Sequence, residues 1–307
     1  MNHAPLGRTG LSVSSLGFGA APIGYLETAQ HEVERMVNLL LDAGVNVLDT
    51  AAAYAGSEEA LGMAVGHRRG DYVLVSKCGK REDGLPGQPW SAERIGAAVD
   101  RTLKRLRTDH VDVTLLHSCS LEILKEGDAV AALARARDAG KTRFLGYSGD
   151  NEAAAYAATL PDVSVIETSV SICDQRNIDL VLPATRKHRV GVIAKRPLAN
   201  TAWRPLDQLA ESYQSYAAPY HDRFVAMGLS AEALGFRAAD WPEIALRFTL
   251  SHREVDTAIV GTTRLDNARS NLVAASKGPL PEEIVGRLRA AFASGQARAG
   301  ETWAGLT

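Results

Sequence analysis

The fold class is decided by two runs, YVLVSK at Tyr72–Lys77 and VDVTLLH at Val111–His117. Both are short, rich in β-branched and aliphatic residues, and closer to continuous apolar runs than to strict alternation. Such runs are typical of parallel strands that are buried on both faces, and parallel strands need helical crossovers. The two runs therefore predict a parallel sheet that is flanked by helices.

Working outward from these runs, similar apolar segments bring the number of candidate strands to eight, with helical patterns between them. The other candidate strands are Leu16–Gly19, Asn46–Thr50, Phe144–Ser148, Val163–Thr168, Val190–Lys195 and Thr257–Gly261. The candidate helices are Ala29–Ala43, Ser57–Gly66, Ala92–Leu106, Glu122–Ala139, Glu152–Thr159, Asn177–His188, Ala231–Leu250 and Asp266–Ala275. Eight strand–helix repeats favour a closed (β/α)8 barrel over an open doubly wound sheet. The open sheet's G-x-G-x-x-G motif is also missing, because Leu16–Ala21 reads LGFGAA.

We expect residues 1–307 to form a single domain. Three regions of this domain lie outside the strand–helix repeat. Pro5–Val13 predicts a small hairpin at the amino-terminal end of the barrel. Asn200–Gly228 predicts a long loop after the seventh strand, and loops at that end of a barrel usually cover a site. Pro281–Ala293 predicts a final helix before the tail.

Composition excludes several classes of protein. The 34 Lys and Arg against 36 Asp and Glu give a net charge of -2, with no basic surplus for nucleic acid or an anionic membrane. No apolar run approaches the ~20 residues of a membrane span. Three scattered cysteines predict neither a disulfide framework nor a metal site. Since Met1–Gly10 also lacks the layout of a secretory signal, we expect a cytoplasmic protein.

Four side chains suited to proton transfer lie at the ends of consecutive predicted strands. Asp49 ends the second strand, and Tyr54 lies in the loop that follows it. Lys77 ends the third strand, and His117 ends the fourth. Each of them alone is a common surface or core residue, but barrel active sites are built at the carboxyl ends of the strands. Their meeting on one rim therefore indicates a catalytic site.

The chemistry of this set is that of a proton donor beside a carbonyl group. A phenol has a pKa near 10, which is too high for efficient proton transfer at neutral pH, and a neighbouring ammonium lowers it. Asp49 would hold Lys77 charged, and His117 could donate to a substrate oxygen. The set contains no nucleophile and no metal ligand cluster, so it suits carbonyl reduction by a hydride from a cofactor.

Several motifs together resemble the aldo-keto reductase family. They are LGRTGLSVSSLGFG (Leu6–Gly19), GVNVLDTAAAYAGSEEALG (Gly44–Gly62), VSKCG (Val75–Gly79), LLHS (Leu115–Ser118), GYSG (Gly146–Gly149) and GTTRLDNARSNL (Gly261–Leu272). The resemblance implies that Asp49, Tyr54, Lys77 and His117 are the family's catalytic tetrad. Tyr54 would then be the general acid in reduction and the base in oxidation.

The resemblance also implies an extended nicotinamide dinucleotide bound without a Rossmann fold. Ser148 would face the nicotinamide carboxamide, Glu167 stands where the family usually has Gln, and Lys195 replaces a stacking Tyr. Arg264 could bind a 2′-phosphate, which favours NADP(H), with NAD(H) as the alternative. The other implied contacts are Gly19, Asp49, Arg196, Leu198, Gly261, Thr262, Thr263, Asn267 and Asn271.

The implied substrates are small aldehydes, ketones or sugar-like compounds. The motifs resemble the bacterial and plant branches that include sugar and pyridoxal dehydrogenases more than the mammalian aldose reductases. Four aromatic residues, Tyr25, Trp90, Trp203 and Trp303, would either form an apolar substrate wall or anchor loops. Two rival functions stay open. Lys77 could form a Schiff base as in an aldolase, or the chain could be a non-catalytic nicotinamide-sensing subunit. The oligomeric state is left open by the sequence.

Overall fold

The computed structural model describes residues 1–26 and 28–306, and they contain the predicted barrel of eight parallel strands. The strands in chain order are β1 (His3–Pro5), β2 (Ser12–Ser14), β3 (Leu16–Gly19), β4 (Val47–Asp49), β5 (Val73–Cys78), β6 (Val111–His117), β7 (Thr142–Ser148), β8 (Val163–Ser169), β9 (Gly191–Lys195) and β10 (Thr257–Val260). From β3 onward each strand pairs in parallel with the next, and β10 closes the barrel on β3. The (β/α)8 prediction is confirmed.

The predicted amino-terminal hairpin is present as β1 and β2, which pair antiparallel. Leu6 and Leu11, in the turn between β1 and β2, pack in the same buried cluster as the inward-facing side chains of the barrel strands. Gly7 has a φ of +51°, and a Cβ there would lie 2.2 Å from the backbone nitrogen of Gly191. The hairpin therefore closes the amino-terminal end of the barrel.

Helices connect the strands and cover the barrel. They are α1 (Ala21–Tyr25), α2 (Gln30–Asp42), α3 (Ser57–Val65), α4 (Ala92–Leu106), α5 (Leu121–Glu126), α6 (Asp128–Asp138), α7 (Asn151–Ala157), α8 (Arg176–Leu180), α9 (Leu182–His188), α10 (Glu211–Met227), α11 (Trp241–Leu250), α12 (Leu265–Ser276) and α13 (Glu282–Ala299). Over the described ranges, no helix combines the length and apolarity needed to cross a membrane.

Three of the predicted helices are interrupted in the structure. Gly127, with a φ of +84°, separates α5 from α6, and Pro183 lies in the first turn of α9 just after α8 ends. The predicted helix Ala231–Leu250 consists of two 3-10 turns followed by α11, because Gly235 adopts a φ of +82°. Glycine and proline thus end helices where hydrophobic periodicity alone continues them.

The segment 200–228 is not simply a loop, since most of it forms the 17-residue helix α10. The buried Tyr220 of this helix packs with Trp241 of α11 and Phe292 of α13 in a cluster of its own. The segment therefore has its own apolar core beside the barrel rim. The final helix also runs to Ala299 rather than ending at Ala293.

Candidate active site

Lys77 and Asp49 form a buried ion pair at the carboxyl end of the barrel. The Lys77 Nζ atom lies 2.6 Å and 2.7 Å from the two carboxylate oxygens of Asp49 and 3.0 Å from the carbonyl oxygen of Thr50. The lysine is 1% exposed. Burial lowers the pKa of the Lys77 ammonium, but the attraction of Asp49 and Glu167 outweighs it, so the net shift is upward. Lys77 is therefore a fixed positive charge.

Glu167 at the end of β8 is a second carboxylate beside Lys77. Its Oε2 atom lies 3.2 Å from the Lys77 Nζ atom, and its Oε1 atom accepts a hydrogen bond from the Ser148 Oγ at 3.2 Å. The sequence predicts Glu167 as a cofactor contact but does not predict its pairing with Lys77. The only signal was its place at a strand end, because the two residues are 90 positions apart and meet only when the barrel closes.

Tyr54 lies beside the ion pair and is flanked by two other rings. The Lys77 Nζ atom is 5.1 Å from the Tyr54 ring centroid, and the His117 ring meets Tyr54 edge-on at 5.7 Å. On the other side, Tyr25 meets it edge-on at 5.6 Å. Burial raises the pKa of the Tyr54 phenol above its ordinary value, and Lys77 acts in the opposite direction. The predicted lowering by Lys77 is thus present but outweighed by burial, so the phenol keeps its proton.

The turn that carries Tyr54 is held by buried polar residues at the start of α3. The Ser57 Oγ donates to the carbonyl oxygen of Ala20 at 3.0 Å and lies 2.9 Å from the Thr50 Oγ1. The next residue, Glu58, accepts hydrogen bonds from the Ser76 and Thr102 hydroxyl groups at 2.8 Å and 2.7 Å. These contacts tie the turn to β3, β5 and α4, which fixes the position of Tyr54.

His117 ends β6 and is buried, with an exposure of 8%. Within the described residues, its Nδ1 atom has no hydrogen-bond partner. Burial lowers the pKa of the imidazole well below its ordinary value, and the nearby cations Lys77 and Lys80 add to the shift. The ring is therefore neutral near pH 7 and has one N–H to donate.

A second group of charges lies at the ends of β7 and β9. The Lys195 Nζ atom is 3.2 Å from the Asp150 carboxylate, and an Arg196 Nη1 atom is 3.8 Å from the same oxygen. Arg196 also donates to the Tyr216 hydroxyl at 2.6 Å and to the carbonyl oxygen of Leu306. Arg196, one of the predicted cofactor contacts, is thus also held by α10 and the tail, partners that the sequence did not predict.

The predicted cofactor contacts between Gly261 and Asn271 lie in the turn before α12 and in that helix itself. Gly261 follows β10 next to Gly19, where a Cβ on Gly19 would lie 3.7 Å from the Gly261 nitrogen. The backbone nitrogen of Arg264 donates to the Thr262 Oγ1 at 3.1 Å. Arg264 and Asn267 are exposed, Thr263 is half-buried and Asn271 is buried. Leu198, after β9, packs against the outer core of the barrel.

The two ends of this rim suit a nicotinamide dinucleotide. The Glu167 Oε2 and the His117 Nδ1 are buried polar atoms that lack hydrogen-bond partners in the described part of the chain. Buried polar atoms usually have partners, so these two are consistent with a site that binds a polar ring. At the other end, an exposed arginine stands at the start of a 12-residue helix, where backbone N–H groups favour an anion. The predicted contacts are therefore compatible with the cofactor.

The four predicted rim aromatics differ in their surroundings. Tyr25 is 60% exposed beside Tyr54 and can contact a substrate there. Trp203 stacks on Trp241 at 6.2 Å, and the buried Trp303 meets Phe292 edge-on at 5.0 Å. Trp90 packs on the backbone of Gly79, where a Cβ would lie 2.3 Å from its ring. The three tryptophans therefore anchor loops and the tail.

The closed barrel and the acid–base groups at its carboxyl end define the class of protein. A model of the Aldo/keto reductase family matches residues 15–293. The chain therefore belongs to the aldo/keto reductase family, whose members use nicotinamide cofactors and act on small carbonyl compounds.

Relatives of known name cover nearly the whole chain. L-galactose dehydrogenase of Arabidopsis thaliana is 29% identical in an alignment that covers 89% of this chain and 87% of the relative. A probable voltage-gated potassium channel subunit beta of the same plant is 27% identical, covering 93% and 94%. The solved structure of aldo-keto reductase AKR11C1 from Bacillus halodurans (holo form) superposes with a TM-score of 0.79 at 27% identity, covering 95% and 96%.

Proposed function

We propose that the chain catalyses hydride transfer between NADP(H) and a small aldehyde, ketone or sugar, with Tyr54 as the general acid and base. The observation that carries this proposal is the Lys77–Asp49 ion pair, with the Nζ atom 5.1 Å from the Tyr54 ring and His117 edge-on to that ring at 5.7 Å. A carbonyl oxygen between Tyr54 and His117 would receive two hydrogen bonds. When bound, the nicotinamide would supply the hydride for reduction or accept it in oxidation.

The chain's own residues would handle the proton and the charge. In reduction, Tyr54 gives its proton to the carbonyl oxygen, and Lys77 stabilises the phenolate that remains. In oxidation, the phenolate takes the proton back from the alcohol. The neutral imidazole of His117 donates to the oxygen throughout and so orients it. Asp49 keeps Lys77 charged and in place.

The cofactor would lie along the rim from Glu167 to Arg264. Ser148 and Glu167 are the proposed carboxamide contacts, Arg196 and Leu198 the proposed pyrophosphate contacts, and the turn Gly261–Arg264 the proposed adenosine-phosphate site. The exposure of Arg264 supports NADP(H), because an exposed guanidinium can pair with a 2′-phosphate.

The two rival functions receive less support. A Schiff-base lysine needs a lowered pKa, whereas Asp49 and Glu167 raise that of Lys77. A sensing subunit would bind nucleotide without turnover, and one relative is named as a channel subunit. In this chain, however, Asp49, Tyr54, Lys77 and His117 are all present and close together, which favours an enzyme.

The test is the oxidation of NADPH with a reactive aromatic aldehyde, followed by absorbance for the wild type and the Tyr54→Phe variant. We expect the variant to lose activity by at least a hundredfold, since it lacks the proton donor, while it still binds NADPH. Equal turnover by the two proteins would overturn the role of Tyr54. Tight NADPH binding with no turnover by the wild type would favour the sensing subunit.

A further inference from the structure

Glu167 is a buried carboxylate whose second oxygen lacks a hydrogen-bond donor. An ammonium has three N–H groups, and those of Lys77 are directed at the two Asp49 oxygens and at the carbonyl of Thr50. The Glu167 Oε2 atom therefore lies 3.2 Å from the Lys77 Nζ atom, yet has no hydrogen-bond partner in the described structure. The carboxylate is 2% exposed, so water does not compensate for the missing partner.

The charges around Glu167 do not balance. Two carboxylates, Asp49 and Glu167, share the single ammonium of Lys77. The nearby cation Lys195 lies against Asp150 instead, at 3.2 Å. A buried charge without a full counter-charge is costly, so a cationic ligand beside Glu167 would be stabilised.

The barrel register brings Glu167 next to the reaction centre. His117 pairs with Ser148 across β6 and β7, and Ser148 pairs with Glu167 across β7 and β8. The cofactor ring has to reach a carbonyl group held by His117 and Tyr54, so it has to lie at this part of the rim. The oxidised nicotinamide ring carries a positive charge and the reduced ring is neutral.

We infer that Glu167 makes the site bind the oxidised cofactor more tightly than the reduced one and strengthens hydride donation by the reduced form. This inference rests on the proposed function. Glu167 would stabilise the positive charge that develops on the ring as the hydride leaves, which favours carbonyl reduction on the enzyme. The same interaction would slow the release of the oxidised cofactor.

The test is calorimetric titration of NADP+ and NADPH into the wild type, Glu167→Gln and Glu167→Asp. We expect the wild type to prefer NADP+, and Glu167→Gln to reduce the ratio of the two affinities about tenfold. Glu167→Asp keeps the charge and should keep most of the ratio. An unchanged ratio in Glu167→Gln would overturn the inference, while the proposed function would stand. If neither nucleotide binds to the wild type, the proposed function itself fails.

A second measurement needs only the wild type and so does not depend on the folding of a variant. Burial and the repulsion of Glu167 raise the pKa of Asp49 well above its ordinary value. A cationic ring beside the two carboxylates opposes this shift, so its binding should release protons, whereas binding of a neutral ring should not. Titrations in buffers of different ionisation enthalpy count the protons. Greater release with NADP+ than with NADPH supports the inference, and equal release overturns it.

Discussion

At the scale of single residues, Lys77 is a fixed cation beside two groups that stay neutral, Tyr54 and His117. Lys77 is held charged by Asp49 and Glu167, whereas burial keeps the proton on Tyr54 and keeps protons off His117. A neutral phenol and a neutral imidazole are both hydrogen-bond donors to an oxygen. In the proposed reaction Tyr54 would give up its proton, and the ammonium of Lys77, 5.1 Å from the ring centroid, would then stabilise the phenolate.

His117 should therefore remain unprotonated in mildly acidic solution. Burial and the cations Lys77 and Lys80 lower the pKa of its imidazole well below the ordinary value of 6.5. Nuclear magnetic resonance of the histidine rings should show no titration of His117 between pH 8 and pH 5.5, with His117→Gln identifying its signal. A midpoint near 6.5 would contradict this prediction. Because the unfolded chain takes up this proton and the folded chain does not, His117 lowers stability as the pH falls through 6.5.

At the scale of elements, the position of Tyr54 depends on how closely α3 packs on α4. A Cβ on Gly62 of α3 would lie 2.4 Å from the carbonyl oxygen of Arg105 and 2.9 Å from the Leu106 Cα, both on α4. These are backbone atoms, so the helices have to move apart to accept a side chain. The same α3 begins with Ser57 and Glu58, which hold the Tyr54 turn.

Gly62→Ala should lower the free energy of unfolding by about 1–3 kcal/mol, since the added methyl group forces the two helices apart. Gly96→Ala is the matched control on α4, because a Cβ there meets nothing within 4 Å. Removing a glycine from an unobstructed helix position should raise stability by about 0.4–1 kcal/mol. Urea denaturation of the two variants measures both changes, and equal effects would refute the close-packing argument.

The accuracy of the sequence prediction also differs between elements. The helix Ala92–Leu106 and the strand Val111–His117 have the predicted bounds, because the Ser91 side chain caps the helix and the strand is a nearly continuous apolar run. Helix α10 was missed, because it contains Pro219 and lies in a segment rich in loop residues. Its tyrosines at 213, 216 and 220 repeat at helical spacing, and that signal could have revealed it.

The contacts of the candidate site also differ in how well the sequence predicts them. The ion pair of Asp49 with Lys77 was predictable because both residues end adjacent strands. Contacts such as Arg196 with Leu306 join residues 110 positions apart and depend on where the tail comes to lie. No local pattern predicts such a contact, since it is set by packing of the whole chain.

At the scale of the whole molecule, the carboxyl-terminal tail is tied to the barrel rim by several hydrogen bonds. The Gly305 nitrogen donates to the Asn151 Oδ1 at 2.7 Å, and Arg223 donates to the Ala304 carbonyl oxygen at 2.8 Å. The Leu306 nitrogen donates to the Asp174 Oδ2 at 3.3 Å. Since Arg196 also holds Leu306, the tail, α10 and the strand ends form one connected unit beside the proposed cofactor site.

Asp174 should make this unit sensitive to pH. Burial and repulsion from Asp150 raise the pKa of its carboxyl to about 7, although Arg223, the Leu306 N–H group and Arg196 act in the opposite direction. The Asp174 Oδ1 is buried without a hydrogen-bond partner among the described residues, which disfavours the charged form. The folded chain therefore binds this proton more tightly than the unfolded chain, and its contribution to stability is lost as the pH rises from about 4 to about 7.

Asp174→Asn should remove this pH dependence, because the amide stays neutral at every pH. Denaturation at pH 6 and pH 7.5 is expected to show a fall in the stability of the wild type that is smaller in the variant. Asp256→Asn is the matched comparison, since burial raises the pKa of Asp256 to about 6 while its carboxylate accepts from the Gly7 and Val192 nitrogens at the other end of the barrel. That variant should still lose stability between pH 6 and pH 7.5. If Asp174→Asn and the wild type show equal slopes in this interval, the carboxyl of Asp174 does not have a raised pKa in the folded chain.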